Sequence, residues 1–411
     1  MIWSDRTLPP PPVLHAMLRE ITETFARELA AAAPHAPRWT DFEWTLARAV
    51  SAMHGVSPVL SRVLRWEGPE SWRHFTEAQR KHTLQRHVRI TELLQLLDRR
   101  MRGAGIAAMA LKGAALHAMG LYAAGDRPMA DIDLLVRPAD ALRATRLLES
   151  LDFRQSGKTW KETAFSPVDD HRHGELGENS ANDVKIELHE RICERLPWRI
   201  TDASDLIFPQ CPHPGLNAYP SKASLMIHLL LHAAGSMTIR VLRLLQLLDL
   251  ARLSRVMSDC DWDEMLTLGS RGPRLWWAFP PLMLLSGYYP SMIPDRILKR
   301  LAGDCPYLLK RVARRRALHG YSCSYLWVEA LPGIEWAQSA AEILEYTVSR
   351  VRPGANHAAL RRNFARTMAS ADRGSWARLP QGRRVLRWIA SRQARPVTMH
   401  SVHAALAEGS Q

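Results

Sequence analysis

Asp131-Ile132-Asp133 opens the apolar run Leu134-Leu135-Val136. Successive side chains of a strand point to opposite faces, so residues two apart share one. A strand over 131–136 therefore sets Asp131 and Asp133 side by side and turns Ile132 and Leu134 into a core. Two carboxylates that close repel each other. Something positive must hold them, and a divalent cation is the natural counter-ion.

The periodicity changes twice along the chain. Residues 13–100 read as helices. Apolar residues recur three to four apart in FEWTLARAVSAMHGVSPVLSRVLRW, broken near Gly55 and Pro58, and a further helix runs through HTLQRHVRITELLQLLDRRMRGAG to Gly103 or Gly105. Ile106–Leu111 is a short apolar run after a glycine and reads as a buried strand. Lys112-Gly113 and a helix, AALHAMGLY, follow it. Gly125–Ala130 reads as a loop, 138–151 as a helix and 155–182 as a loop or irregular hairpin. In DVKIELHER, Val184, Ile186 and Leu188 alternate with Lys185, Glu187 and His189, as in a half-buried strand with a polar side. Helices dominate again from Ser221, and the tail from Val397 reads as loosely ordered. The expected fold is an α/β (α+β) core with a small mixed sheet over 101–200. An N-terminal helical region, 1–100, and a C-terminal one, 201–411, flank it.

Charge narrows the partners. The 411 residues carry a net charge of +14, which favours anions such as nucleotides, nucleic acid or acidic surfaces. From Arg296 onward there are 20 Lys plus Arg against 7 Asp plus Glu, so the excess lies in the last third. The five cysteines are widely spaced without a C-x-x-C pair, which argues against a disulfide framework or zinc site and for reduced thiols in a cytoplasmic protein. The first residues, MIWSDRTLPPPP, lack the pattern of a signal peptide. Leu275–Leu285 is too short to span a bilayer and contains Pro280 and Pro281, so no membrane association is expected.

A glycine turn after a strand, a D-x-D strand and a later strand with one acid form the layout of the DNA polymerase beta-like nucleotidyltransferase superfamily. LKGAAL, RPMADIDLLV and KIELH resemble one branch of it more closely: a poorly characterised bacterial nucleotidyltransferase family with an LKG…R-P-x-x-D-I-D-L-L-V…E-L-H pattern. RAVSAMHGVSPVL before the core, and HLLLHAAG with VLRLLQLLDLARL after it, look like that family's flanking helices, so the resemblance spans about 40–260. It implies a nucleotidyltransferase core that moves NMP from an NTP, ATP first, to an acceptor hydroxyl or phosphate by a two-metal mechanism with Mg²⁺. By motif, Asp131, Asp133 and Glu187 are the catalytic acids and metal ligands, and Glu187 assists as base. Gly113 and the amides after it, including Ala114, lie against the phosphates. Lys112 and Arg127 neutralise them, and Lys185 and His189 share the Glu187 face, towards substrate. The turn departs from the superfamily's Gly-Ser or Gly-Gly, since Gly113-Ala114 offers no hydroxyl, and the spacing from Gly113 to Asp131 is long. Related proteins in toxin–antitoxin pairs imply an alternative: a nucleotide-binding or toxin-neutralising interaction protein on the same fold.

Other candidates have plainer readings. His228 and His232 are four apart on a helix and read as core histidines rather than a metal pair. Asp170-His171-Arg172-His173 reads as solvated loop, and Arg243 with Asp249 as a structural pair. Arg311, Arg314, Arg315 and Arg316, with Arg361, Arg362, Arg383 and Arg384, form a candidate nucleic-acid track. Aromatic residues are not interleaved with these arginines as a single-strand stacking platform would want, so a small-molecule, peptide or protein acceptor is favoured over nucleic acid.

Overall fold

The alternating segments become strands in the computed structural model, which describes residues 8–169, 176–271, 274–352, 379–390 and 393–408. Strands β1 (Ala107–Ala110), β2 (Asp131–Val136), β3 (Phe153–Lys158), β4 (Glu162–Pro167) and β5 (Lys185–His189) belong to one sheet. A separate ribbon pairs β6 (Cys193–Arg195) with β7 (Ile200–Asp202), and β8 (Gly215–Asn217) returns to the main sheet. The spatial order is β3-β4-β5-β2-β1-β8. β2 runs parallel to β5 and antiparallel to β1, so the sheet is mixed and the D-x-D strand is central.

Helices cover both faces. Helices α1 (Pro11–Ala30), α2 (Asp41–Met53), α3 (Ser57–Val63) and α4 (Glu70–Gly103) precede the sheet. α5 (Gly113–Ala118) and α6 (Ala141–Glu149) lie between strands, and α7 (Ser204–Ile207) precedes β8. Then come α8 (Lys222–Thr238), α9 (Leu244–Val256), α10 (Asp259–Arg271), α11 (Phe279–Tyr288), α12 (Asp295–Asp304) and α13 (Tyr307–Ala313). Among the described residues the chain closes with α14 (Ala340–Val351), α15 (Gln381–Ala390) and α16 (Pro396–Glu408).

The pleat decides which face meets which core. Ile132, Leu134 and Val136 of β2, with Ile186 and Leu188 of β5, pack on Ile90, Leu97 and Met101 of α4 and on Ala144 and Leu148 of α6. Each fully buried aliphatic side chain of this kind stabilises the fold by about 1.5–3 kcal/mol. Met109 and Leu135 point the other way, into a second core built around α8 and α9. α8 is buried almost all round, as its apolar sequence demands. Its start is fixed by a reciprocal cap between Ser221 and Ser224. Pro280 and Pro281 sit in the first turn of the buried α11, where a missing N–H costs nothing. No described helix is long and apolar enough to cross a membrane.

α4 spans about 50 Å at 1.5 Å per residue, and its polar side fastens the approaches to the central strands. Arg86 is 4% exposed. It donates to Asn182 O at 2.5 Å, to Met129 O at 3.2 Å and to Ala130 O at 3.1 Å, and its Nε lies 3.3 Å from Glu178 Oε2. Met129-Ala130 leads into β2 and Asn182 leads towards β5, so one buried guanidinium ties both strand starts together. Gln79 adds three bonds to the same loop, with Leu176 O and both backbone groups of Glu178.

Two expectations change, and the irregular hairpin expected within 155–182 is found at Phe153–Pro167. The tail from Val397 is not loose: Thr398, Val402, Ala405 and Leu406 of α16 are buried, and α16 packs on α2. Its apolar residues recur at three-to-four spacing, which makes one face of a helix. The polar stretch after 152 supplies the β3–β4 hairpin, whose register shifts between Gln155 and Gly157. Its outward-facing polar residues suit an edge position and mask the strand pattern. The sheet also extends past 200, because β8 pairs with β1.

Arg86→Met should lower the unfolding free energy by about 3 kcal/mol, because Glu178 and three carbonyls lose a buried partner. Urea denaturation measures this, and hydrogen exchange should quicken at 129–132 and 179–185. A loss below about 1 kcal/mol contradicts the clamp.

Candidate active site

The β2–β5 register pairs Asp131 with Lys185, Asp133 with Glu187 and Leu135 with His189. In a parallel ladder these partners share a face. The three acids, Lys185 and His189 therefore gather opposite the Ile132–Leu134 core. The turn after β1 brings Lys112 to them. Lys112 caps α5 at φ +45°, a region that L-residues enter at a cost of about 1–3 kcal/mol. Its amide donates to the Tyr219 hydroxyl at 3.4 Å, and Leu111 N donates to Asp133 O at 2.9 Å. So held, Lys112 Nζ donates to Asp133 Oδ1 at 2.6 Å. His189 Nε2 lies 3.0 Å from the same oxygen and 3.9 Å from Glu187 Oε2. Asp133 is 7% exposed and His189 3%.

Burial and like charge divide the carboxylates. Burial favours the neutral form of Asp133, but Lys112 and His189 overwhelm it and hold Asp133 well below the usual carboxylate range. Burial also works against the Lys112 ammonium, yet Asp133, Asp131 and Glu187 together hold it above its ordinary value. Asp131 is pushed up by burial and by Asp133. Glu187 is pushed up to about 8 by burial, Asp131, Asp133 and Glu162. Asp133 thus takes the contact with Lys112, while burial and like charge raise Asp131 and Glu187, a deficit of positive charge at the site.

That deficit fits a divalent cation. Ligand atoms of Asp133, Glu187 and His189 lie within 4.8 Å of one another, and among the described residues no other group of three His, Cys, Asp or Glu comes together in this way. Metal–ligand bonds of about 2.0–2.2 Å place neighbouring ligand atoms about 3–3.5 Å apart. The distances of 3.0 and 3.9 Å around His189 bracket that spacing. Asp131 stands on the same face but outside this trio.

The remaining candidates are placed as follows. Gly113 is a glycine for packing: a Cβ there would strike the Arg127 guanidinium and come 2.7 Å from Met129 Sδ. The Ala114 amide already donates to Leu111 O at 3.2 Å. Arg127 is buried beneath the turn. It forks onto Asp249 at 2.9 and 2.7 Å, and the Tyr122 hydroxyl donates to the same carboxylate at 2.7 Å. Asp249 thus pairs with Arg127 rather than Arg243, which is exposed and acts electrostatically on Asp131. His228 Nδ1 lies 2.7 Å from the Tyr219 hydroxyl, and His232 Nδ1 lies 3.5 Å from Glu194 Oε1. Tyr219 and Arg86 carried no signal in the sequence; the fold alone brings them to the site. Asp170, His171, Arg172 and His173, like Arg361 and Arg362, lie outside the described residues.

A model of the family described as "Uncharacterised nucleotidyltransferase" matches residues 40–272, which include every strand of the sheet. No curated protein and no solved structure matches the chain.

The pH dependence of metal binding follows from Glu187. Between its unfolded value and about 8 the folded state keeps a proton that the unfolded chain has released, so this group's contribution to stability falls as pH rises through that window. A divalent cation must displace that proton. The rise in Tm that it produces should therefore grow from about pH 6 to about pH 8 and then level off. Glu187→Gln should flatten the profile in thermal melts with and without Mn²⁺ or Mg²⁺. A profile of unchanged slope in that variant contradicts the assignment.

Proposed function

We propose, because the chain belongs to that uncharacterised nucleotidyltransferase family, that it transfers NMP from an NTP, ATP in the first instance, to an acceptor hydroxyl or phosphate. The observation that carries the reading is the buried meeting of Asp133, Glu187 and His189 on one sheet face, with Lys112 bonded to Asp133. Asp131, Asp133 and Glu187 would hold Mg²⁺, in two ions by the superfamily pattern. When bound, the metal screens the triphosphate and makes the acceptor hydroxyl more acidic.

The chain's own residues have distinct tasks. Lys112 and His189 keep Asp133 ionised and fix its orientation. The Gly113–Ala114 turn gives the triphosphate a close approach to backbone, and Arg127 keeps that turn in place through Asp249. Lys185, opposite Asp131, and the exposed Arg243 lie within reach of substrate. The acceptor is a small molecule, peptide or protein rather than nucleic acid. Of the basic cluster, Arg316 turns inward, with Nη1 3.6 Å from Glu335 and its guanidinium 5.3 Å from the centre of the Tyr321 ring. Arg311, Arg314 and Arg315 remain exposed.

Incubation with each α-labelled NTP, Mg²⁺ and a cell lysate should label one acceptor class. Asp133→Asn and Glu187→Gln should each cut transfer by about 100-fold or more while the protein stays folded. Transfer undiminished in both variants would overturn the reading. Nucleotide binding without transfer in any condition would favour the interaction protein. Salt separates the acceptors: a nucleic-acid acceptor loses affinity with a slope of about −0.9 in log[salt] per duplex phosphate neutralised. Little slope is expected here, and little change on replacing Arg311, Arg314 and Arg315 by Ala. Tight RNA binding at physiological salt, lost in that triple variant, contradicts the choice.

A further inference from the structure

A cavity of about 870 Å³ lies between α4, the end of β1, α5 and the start of α8, and none of Asp131, Asp133, Glu187 and His189 lines it. Cavities of about 300–1,000 Å³ hold a small organic molecule. Its wall is mostly apolar for a local reason. α5 turns Ala114, Ala115 and Ala118 towards it, and these methyl groups leave room that larger side chains would fill. Leu94 of α4 closes the opposite side.

Apart from the exposed Gln95 and Arg99, the polar groups of the wall are largely in use. Asn217 Nδ2 donates to Ala108 O at 3.1 Å and His213 O at 2.8 Å, and its Oδ1 accepts from His213 N at 3.0 Å. Asp98 is held by Arg102 at 2.8 Å and by Leu216 N at 2.8 Å. Asp261 pairs with Lys222 at 2.8 Å. Few directed donors or acceptors remain to read the edge of a nucleobase. Arg99 differs: it lines the cavity, is exposed, and forms no ion pair among the described residues. The acids beside it are neutralised by other partners, so the uncompensated charge of the lining is positive.

We propose that this cavity binds a small amphipathic anion. Its compact apolar or aromatic body lies between Leu94 and the alanine face of α5, and its anionic group meets Arg99. The cavity lies beside the proposed nucleotide turn, shares Ala114 with it, and does not rest on the reading of the reaction. It is also joined to that turn mechanically. Tyr219 lines the cavity, and its hydroxyl accepts from the Lys112 amide at the turn that delivers Nζ to Asp133.

Two fluorescent probes test the proposal on the full chain. 1-Anilinonaphthalene-8-sulfonate carries an aromatic body and one anion; N-phenyl-1-naphthylamine carries the body alone. Both should bind saturably with one-to-one stoichiometry. Arg99→Glu should weaken the sulfonate by about tenfold or more and leave the neutral probe unchanged. Ala118→Trp, at an exposed position on the cavity wall, and Ala115→Phe should each weaken both probes. Unchanged thermal melts show that the probes are not reading unfolded chain, and if Ala115→Phe does not fold, the other two variants carry the test. Three results would each overturn the proposal: no saturable binding, binding indifferent to Arg99→Glu and Ala118→Trp, or competitive displacement by ATP with Mg²⁺, which would make the cavity the nucleoside's own.

Discussion

Three carboxylates on one largely buried sheet face, with the Lys112 ammonium bonded to one of them, are the constraint to which the surrounding structure answers. Lys112 and His189 hold Asp133 well below the usual carboxylate range, while burial and like charge push Asp131 and Glu187 up. A fold that wanted only stability would place apolar residues there, since a buried charge cluster costs more in desolvation than its pairing usually returns. The arrangement persists because several independent fixtures enforce it. Ile132, Leu134, Ile186 and Leu188 set the register from the opposite face. Arg86 ties the two strand starts to α4. The strained turn at Lys112 aims its ammonium at Asp133.

The same constraint explains why the turn needs a glycine and why Arg127 is buried. Gly113 lies directly on the Arg127 guanidinium, which Asp249 of α9 holds with two charge-assisted bonds and Tyr122 braces. The C-terminal helices are thereby part of the site: α9 supports the turn from below, and α8 supplies His228 to the Tyr219 hydroxyl. A sheet core that met these helices only by chance would not need buried, bidentate pairs across the junction.

Much of this was legible in the sequence. The D-x-D run and the alternation at 184–189 carry period-two signals strong enough to place both strands and to put their acids on one face. The hairpin at 153–167 was harder, because an edge strand shows little apolar alternation. The helix at 396–408 was read as tail because closeness to the chain end outweighed its periodic apolar residues. At the site, Arg127 looked like a phosphate ligand from its place in the motif; only three-dimensional proximity shows Asp249, 122 residues away, to be its partner. His189 was seen as a neighbour of Glu187, yet its contact with Asp133 depends on the β2–β5 pairing. Tyr219 could not be found at all, since β8 joins the sheet through a short strand with no pattern of its own.

The central claim is that Asp133 and Glu187, with His189 beside them, form a divalent-cation site facing the Gly113 turn. Crystals grown with Mn²⁺ and a non-hydrolysable ATP analogue test it most directly, through the anomalous signal of the metal. The account predicts a peak about 2.2 Å from carboxylate oxygens of Asp133 and Glu187, with the analogue's phosphates on its open side. A nucleotide bound elsewhere, or an anomalous peak remote from these residues with Lys112 still seated on Asp133, would contradict it.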